Sequence, residues 1–207
     1  LAAEREGIEQ LEEVHPDFYH HLINTGFIIP LDTDEVEKVK ILVRNIDQEN
    51  DNSYHIIINP TMNCNFKCWY CYETHIKKSK ITENDLSKVK KFISSVLNKP
   101  NLEYFSLSWF GGEPLLYFNE TVLPVLEYVA PIIEKKKLGF SSDFTTNGLL
   151  ITQEILNQCK KHGVNDFQIT LDGHRDRHNE VRFVSKERGS YDEIVKNIKL
   201  AVKNELK

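Results

Sequence analysis

Two spacings of apolar positions divide this chain. Up to about residue 50 the spacing is helical. One helix runs to about Val14, a second opens at Pro16 and is stopped by Gly26, and a third runs from Thr33 through TDEVEKVKILV. Proline in a first turn and glycine just past a last one are the boundary residues helices prefer. From Tyr54 onward, short runs of β-branched and aromatic residues alternate with amphipathic helices. Residues 54–58, 104–109, 140–146 and 167–171 read as strands. Between them, Thr82 with Asp85 three residues on resembles a capping box, and Leu86, Val89, Ile93, Val96 and Leu97 share one helical face. A second helix from about Asn119 is apolar at Val122, Leu126, Val129 and Ile133, and Pro131 is expected to kink or end it. Thr152 opens a short helix closed by Gly163. Ser190-Tyr191-Asp192-Glu193 caps the last one, whose expected buried stripe is Ile194, Val195, Ile198, Ala201 and Val202.

Strands separated by amphipathic helices predict right-handed βαβ units and a parallel sheet. Four units are visible. An eight-strand barrel needs roughly 250 residues, so 207 residues fit either an open α/β sheet or the first part of a barrel. The change of period predicts a helical segment over 1–50 and an α/β domain over 51–207. The chain opens at Leu1, its only methionine is Met62, and Lys207 falls inside a helical pattern, so a piece of a longer protein is expected.

Composition narrows the classes. At 40% hydrophobic and 28% charged, the chain is of globular type. No apolar run nears the roughly 20 residues of a membrane-spanning helix, and the acidic opening LAAEREGIEQLEEV is wrong for a secretory signal. A net charge of -5 gives no electrostatic reason to expect nucleic acid. The acids concentrate in residues 1–50, where 12 face 4 bases; this reads as a solvated surface.

The candidate chemistry begins with cysteine. Three of four cysteines, Cys64, Cys68 and Cys71, fall within eight residues. Such crowding is a metal or cluster pattern in a reducing compartment, not a disulfide framework. Cys159 stands alone on a helical stretch and reads as a small buried apolar residue. Three thiolates can hold a four-iron cluster and leave one iron open. Alternatively, His75 with the three cysteines makes a closed zinc site. Spacing alone leaves both open. Position favours the cluster, because every strand is followed by an unusual motif: the cysteines, then Gly111-Gly112-Glu113-Pro114, Thr145-Thr146-Asn147-Gly148, and Asp172-Gly173. In a parallel sheet these loops share the edge at the carboxyl ends of the strands, where sites form.

Cys-x3-Cys-x2-Cys after a first strand, then Gly-Gly-Glu-Pro after a second, resembles the radical S-adenosylmethionine (radical SAM) enzymes. Thr145-Thr146-Asn147-Gly148 and Thr170-Leu171-Asp172-Gly173 resemble the subfamily with a cysteine-rich SPASM extension, which modifies peptides and proteins. The resemblance covers about residues 54–202. It implies a partial TIM-type (β/α) barrel of about four βα units behind a helical lead-in, with the remaining strands and the extension beyond Lys207. It implies that Cys64, Cys68 and Cys71 hold a 4Fe–4S cluster whose free iron takes the amino and carboxylate groups of SAM. Tyr70 matches the aromatic position near adenine, against the simpler reading of a loop aromatic packed on the core. Gly111 and Gly112 would let the backbone approach the methionine part, and Glu113, before Pro114, would accept from its ammonium. Asn147 and Asp172 belong to the matching motifs. Thr170 matches a small hydroxyl residue near the ribose, and Arg182 an arginine directed at the SAM carboxylate or ribose.

Two departures stand out. The family's His-Asp pair reads His178-Asn179, and its Gly-x-Gly-Ser reads Glu187-Arg188-Gly189-Ser190. The implied chemistry is one-electron cleavage of SAM to a 5′-deoxyadenosyl radical, which takes a hydrogen atom from substrate. The implied partners are a peptide or protein substrate and a low-potential donor such as flavodoxin or ferredoxin, with no nucleic acid and no membrane. An oxygen-sensitive cluster implies an anaerobic cytoplasm. A peptide maturase is the first expectation, a sulfatase-maturing enzyme that makes formylglycine the second, and a zinc-stabilised binding module the rival of another class.

Overall fold

The structure, a computed structural model, describes residues 2–49, 52–185 and 187–206. It divides into two compact units, Leu1–Glu49 and Asn50–Lys207. The first contains helices α1 (Ala2–Val14), α2 (Pro16–Asn24) and α3 (Glu35–Glu49). Pro16 sits in the first turn of α2. α3 opens later than expected, because the Asp34 carboxylate, not Thr33, accepts the Glu37 N–H at 2.9 Å.

In the second unit, β1 (Ser53–Ile58), β2 (Tyr104–Trp109), β3 (Gly139–Thr146) and β4 (Val164–Ile169) form one sheet in chain order, every pair parallel. The crossovers are α4 (Glu83–Leu97), α5 (Leu123–Lys136) and α6 (Gln153–Lys161). One sheet face packs on the helices. Phe105, Leu107 and Trp109 alternate on it, all essentially buried, and Trp109 and Phe167 each stack on Phe144. Period-2 alternation puts the polar residues of the same strands on the other face. There Ser108 donates to Asp143 at 2.6 Å and lies 2.7 Å from His55 Nε2. Cys159 is fully buried in the apolar core, as expected.

Beyond β4 the chain forms α7 (Arg175–Val181), a hairpin of β5 (Phe183–Ser185) with β6 (Arg188–Gly189), and α8 (Tyr191–Lys203). Neither α7 nor the hairpin was expected, since RDRHNEV has too few apolar positions to show a period. β4 begins and ends earlier than residues 167–171, so Thr170 and Leu171 lie in the loop. α5 continues through Pro131 to Lys136 instead of ending there. Pro131 and Glu127 are both exposed, so water can satisfy the Glu127 carbonyl that proline leaves without a donor. A 3-10 turn, Pro114–Tyr117, and a π turn, Phe118–Val122, precede α5.

The stripe of α8 is narrower than expected. Ile194, Asn197 and Ala201 are buried, whereas Val202, about 100° further round the helix, is 65% exposed. Asn197 is buried because its amide donates to the Gly148 and Leu149 carbonyls at 2.9 and 3.0 Å. Ser190 does not cap α8 with its hydroxyl. Asn179 Oδ1 instead accepts from the Ser190 and Tyr191 N–H groups at 2.9 and 3.0 Å.

α5 closes on Lys137 in the left-handed region, φ +55°. Glycine is free of the steric cost an L side chain carries there. Lys137→Gly is therefore expected to raise unfolding stability by about 0.5–1 kcal/mol in urea denaturation. A loss of stability would contradict the cap geometry.

Candidate functional site

At the carboxyl ends of the four parallel strands lies a cleft of about 240 Å³. Cys64, Cys68, Tyr70 and Cys71 line it from the loop after β1, and Gly111 and Gly112 from the loop after β2. Asn147 follows β3, Thr170 follows β4, and Arg182 follows α7. These expected residues therefore meet at one place. Glu113, Pro114 and Asp172 stand outside the lining.

The cysteine loop rests on the two glycines. Gly111 has φ +87°, and a Cβ there would come 2.8 Å from the Thr61 carbonyl oxygen. A Cβ on Gly112 would come 2.2 Å from the Asn63 carbonyl oxygen, closer than any real contact. What the missing side chains admit is thus the backbone of residues 61–63, one residue before Cys64. The Glu113 N–H then donates to the Asn63 carbonyl at 2.9 Å.

Glu113 is fully buried. Its Oε1 accepts from the Leu115 N–H at 3.0 Å and the Thr146 hydroxyl at 2.7 Å, and its Oε2 from the Asn147 N–H at 2.8 Å. Burial pushes this carboxyl up, against these hydrogen bonds and the Arg182 charge that pull it down. Three of four acceptor positions are filled. The geometry thus shows Glu113 tying the β2 and β3 loops together behind the cleft wall. Pro114, also buried, begins the turn that Glu113 caps. Asn147, carried on that tie, donates from Nδ2 to Asn65 Oδ1 at 2.7 Å and so reaches back to the cysteine loop.

A second network holds the other wall. Tyr70 donates its hydroxyl to Asp172 Oδ2 and accepts from Arg182 Nη1 at 2.8 Å. Tyr70 is thus part of the wall's polar network and not a core-packed aromatic. Arg182 also lies over the Phe66 ring, 5.8 Å from its centroid. Behind them His178 is fully buried. Its Nδ1 accepts from the Asp172 N–H at 3.3 Å, so Nε2 carries the proton toward Ser190 Oγ at 2.9 Å. Ser190 in turn donates to the Arg182 carbonyl at 3.0 Å. Burial and Arg182 both lower the histidine's pKa, which keeps it neutral as this chain of bonds requires. His178, Asn179 and Ser190 were not expected as site supports. Asn179, which stands where the family's motif has an acid, accepts through its amide oxygen.

The donor set fits an iron–sulfur cluster. All three thiols are free and half-buried, on one loop facing one cleft. Burial pushes Cys64 up to about 11 and raises Cys68, partly offset by the Phe66 N–H on Cys64 and the Arg182 charge on Cys68. A buried thiolate therefore calls for a cationic partner, which a metal centre supplies. Ligand atoms on one zinc lie roughly 4 Å apart. Among the described residues, the group within 4.8 Å of one another is Cys71, Glu73 and His75, and neither Cys64 nor Cys68 joins it. Among the described residues the four ligand atoms of a closed Cys64–Cys68–Cys71–His75 zinc site are therefore not gathered at one point. Arg182 Nε is buried with no hydrogen-bond partner, and Asp172 Oδ2 lies 4.0 Å away. Arg182 thus keeps one N–H outside the hydrogen bonds of the wall, with its charge beside the cleft.

Residues 58–207 match the model of the radical SAM superfamily. The chain belongs to this family. Its membership brings the family's two cofactors, a 4Fe–4S cluster and SAM. The radical SAM cyclopropyl synthase TigE of Paramaledivibacter caminithermalis is 28% identical over 167 residues, 72% of this chain and 34% of TigE. The cysteine-type anaerobic sulfatase-maturating enzyme of Clostridium novyi is 24% identical over 159 residues, 72% of this chain and 40% of that enzyme. The solved structure of native anSMEcpe with bound AdoMet and Cp18Cys peptide superposes with a TM-score of 0.64 at 22% identity, covering 75% of this chain and 41% of that one. That likeness identifies the four βα units as part of the radical SAM (β/α) barrel. The chain spans less than half the length of these three proteins.

Gly112→Ala is expected to cost about 1–3 kcal/mol, because the clash is with backbone that carries the cysteines. Glu113→Gln is expected to cost about 1–3 kcal/mol, since it turns an amide NH2 toward N–H and O–H donors. Glu120→Gln, an exposed control, should stay within about 0.5 kcal/mol. Urea denaturation measures all three. Equal costs for the two Glu→Gln changes would dissolve the tie between the β2 and β3 loops.

Proposed function

We propose that this chain is the core of a radical SAM enzyme that takes a hydrogen atom from a peptide or protein substrate. In this reading Cys64, Cys68 and Cys71 hold the cluster through three of its irons. When bound, the cluster and SAM together supply one-electron cleavage of the sulfonium and the hydrogen-atom acceptor that follows from it. The observation that carries the reading is the meeting of three free thiols, a glycine-walled cleft and the unpartnered Arg182 donor at one sheet edge.

The protein's own residues orient and shield. Arg182, braced by Tyr70 and Asp172, would donate to the SAM carboxylate or ribose. Gly111 and Gly112 bring backbone to the cleft wall, Asn147 offers an amide fixed by Glu113, and Thr170 offers a hydroxyl at the rim. Glu113 acts from behind the wall, where it fixes the loops that carry these groups. A protein substrate is supported by the sulfatase-maturating relative, and a peptide by the one bound in the anSMEcpe structure. Formylglycine formation on a sulfatase is the narrower second reading, favoured by the sulfatase-maturating relative. A low-potential carrier such as flavodoxin or ferredoxin supplies the electron, in an anaerobic cytoplasm. Among the described residues no helix is long and apolar enough to cross a membrane.

The test is anaerobic reconstitution of the full-length protein with iron and sulfide, then SAM and a strong reductant. We expect release of 5′-deoxyadenosine. Cys64→Ala, Cys68→Ala and Cys71→Ala should each remove one cluster's iron and stop that release, whereas Cys159→Ala should leave both unchanged. Release that survives Cys68→Ala, or zinc in place of iron with labile sulfide, contradicts the reading.

A further inference from the structure

Each thiol of the cysteine loop has its own polar neighbour. Cys64 Sγ accepts from the Phe66 N–H at 3.4 Å, and Cys68 lies in the field of Arg182. The third neighbour is His75, considered above only as a rival zinc ligand. His75 Nε2 sits 3.4 Å from Cys71 Sγ, and Glu73 completes a group whose ligand atoms lie within 4.8 Å of one another.

The position is built and not incidental. The Ile76 N–H donates to the Met62 carbonyl at 3.0 Å, and the Ile81 N–H to the Pro60 carbonyl at 2.9 Å. The Thr61 hydroxyl and the Met62 N–H bond Ser79 from the other side. The segment that carries His75 is therefore strapped to the segment that leads into Cys64. His75 is half-buried and lines the cleft.

We infer that His75 donates a hydrogen bond from Nε2 to the Cys71 thiolate and thereby raises the reduction potential of the cluster. The inference rests on the reading of Cys71 as a cluster ligand. An electron added to the cluster spreads negative charge onto its thiolate sulfurs, so an N–H donor there stabilises the reduced form more than the oxidised one. Charge-assisted hydrogen bonds are about twice as strong as neutral ones, so the difference is measurable. The Glu73 carboxylate acts in the opposite sense, because its negative charge opposes reduction. His75 is a positioning and tuning residue: it touches the ligand, not the substrate.

The experiment is an EPR-monitored redox titration of the reconstituted full-length protein, following the signal that changes on adding SAM. His75→Ala is expected to keep its iron and sulfide. It should need a more negative poise, with the reduced-to-oxidised ratio at fixed potential falling about tenfold, or about 59 mV for one electron. His75→Gln, which keeps an N–H donor, should return toward wild type, and Glu73→Gln should shift the other way. An unchanged potential in His75→Ala overturns the inference. So does loss of iron in that variant, which would make His75 a ligand and not a donor. Cys71→Ala separates the two levels: a cluster that survives it sinks the site reading beneath, whereas its loss alongside an unmoved His75→Ala potential sinks the tuning alone.

Discussion

The close approach of one backbone to another organises this site. The Asn63 carbonyl stands where the Cβ of residue 112 would be, 2.2 Å from that ideal position. Only glycine admits it. The next residue after Asn63 is Cys64, so the placement of the first thiol follows from the absence of a methyl group on a different strand loop. Glu113 extends the lock. Its N–H holds Asn63, while its carboxylate holds Leu115, Thr146 and Asn147. A buried carboxylate is costly unless its oxygens are satisfied. Here three donors from two loops satisfy it, so the cost of burial is offset only when the loops are correctly joined.

The opposite wall is organised by a neutral histidine. His178 passes hydrogen bonding from the Asp172 N–H through Ser190 to the Arg182 carbonyl. It fixes both ends of the Tyr70–Asp172–Arg182 group without taking part in the cleft. Rigid support behind the groups that meet a ligand is what preorganises a site on loops. The same loops sit on a sheet whose helix-facing side is aromatic and buried. The polar groups beside the thiols are of three different kinds: a peptide N–H, a guanidinium and an imidazole.

Much of this was legible in the amino-acid order. The strand runs alternate at period 2, so β2 matched residue for residue, and the crowded cysteines with the glycine pair marked the site edge. What escaped had a physical reason in each case. Val164 is buried yet follows directly on the Gly163 turn, so β4 began earlier than its apolar run suggests. Asn197 and Asn179 are polar residues whose bonds are made to distant backbone, and no local period reveals such partners. Ser190 looked like a helix cap, but its hydroxyl serves His178 and Arg182 while Asn179 does the capping. Glu113 was expected to face a ligand. Its environment shows a carboxylate consumed mainly by the fold, a distinction that residue type and spacing do not carry. His75 was noticed only as a rival zinc ligand, because spacing shows that two residues are near without showing which atom donates.

In the proposed function three thiols converge on one iron–sulfur cluster in this cleft and leave one of its irons to SAM. An anaerobic crystal structure of the reconstituted protein with SAM, with anomalous data at the iron edge, tests it most directly. Four iron positions are expected beside the Gly111–Gly112 wall, three of them bonded to the sulfurs of Cys64, Cys68 and Cys71 and none to another side chain, with SAM on the remaining iron. A single metal ion held by Cys71, Glu73 and His75, or a fourth protein ligand closing the cluster, would contradict it.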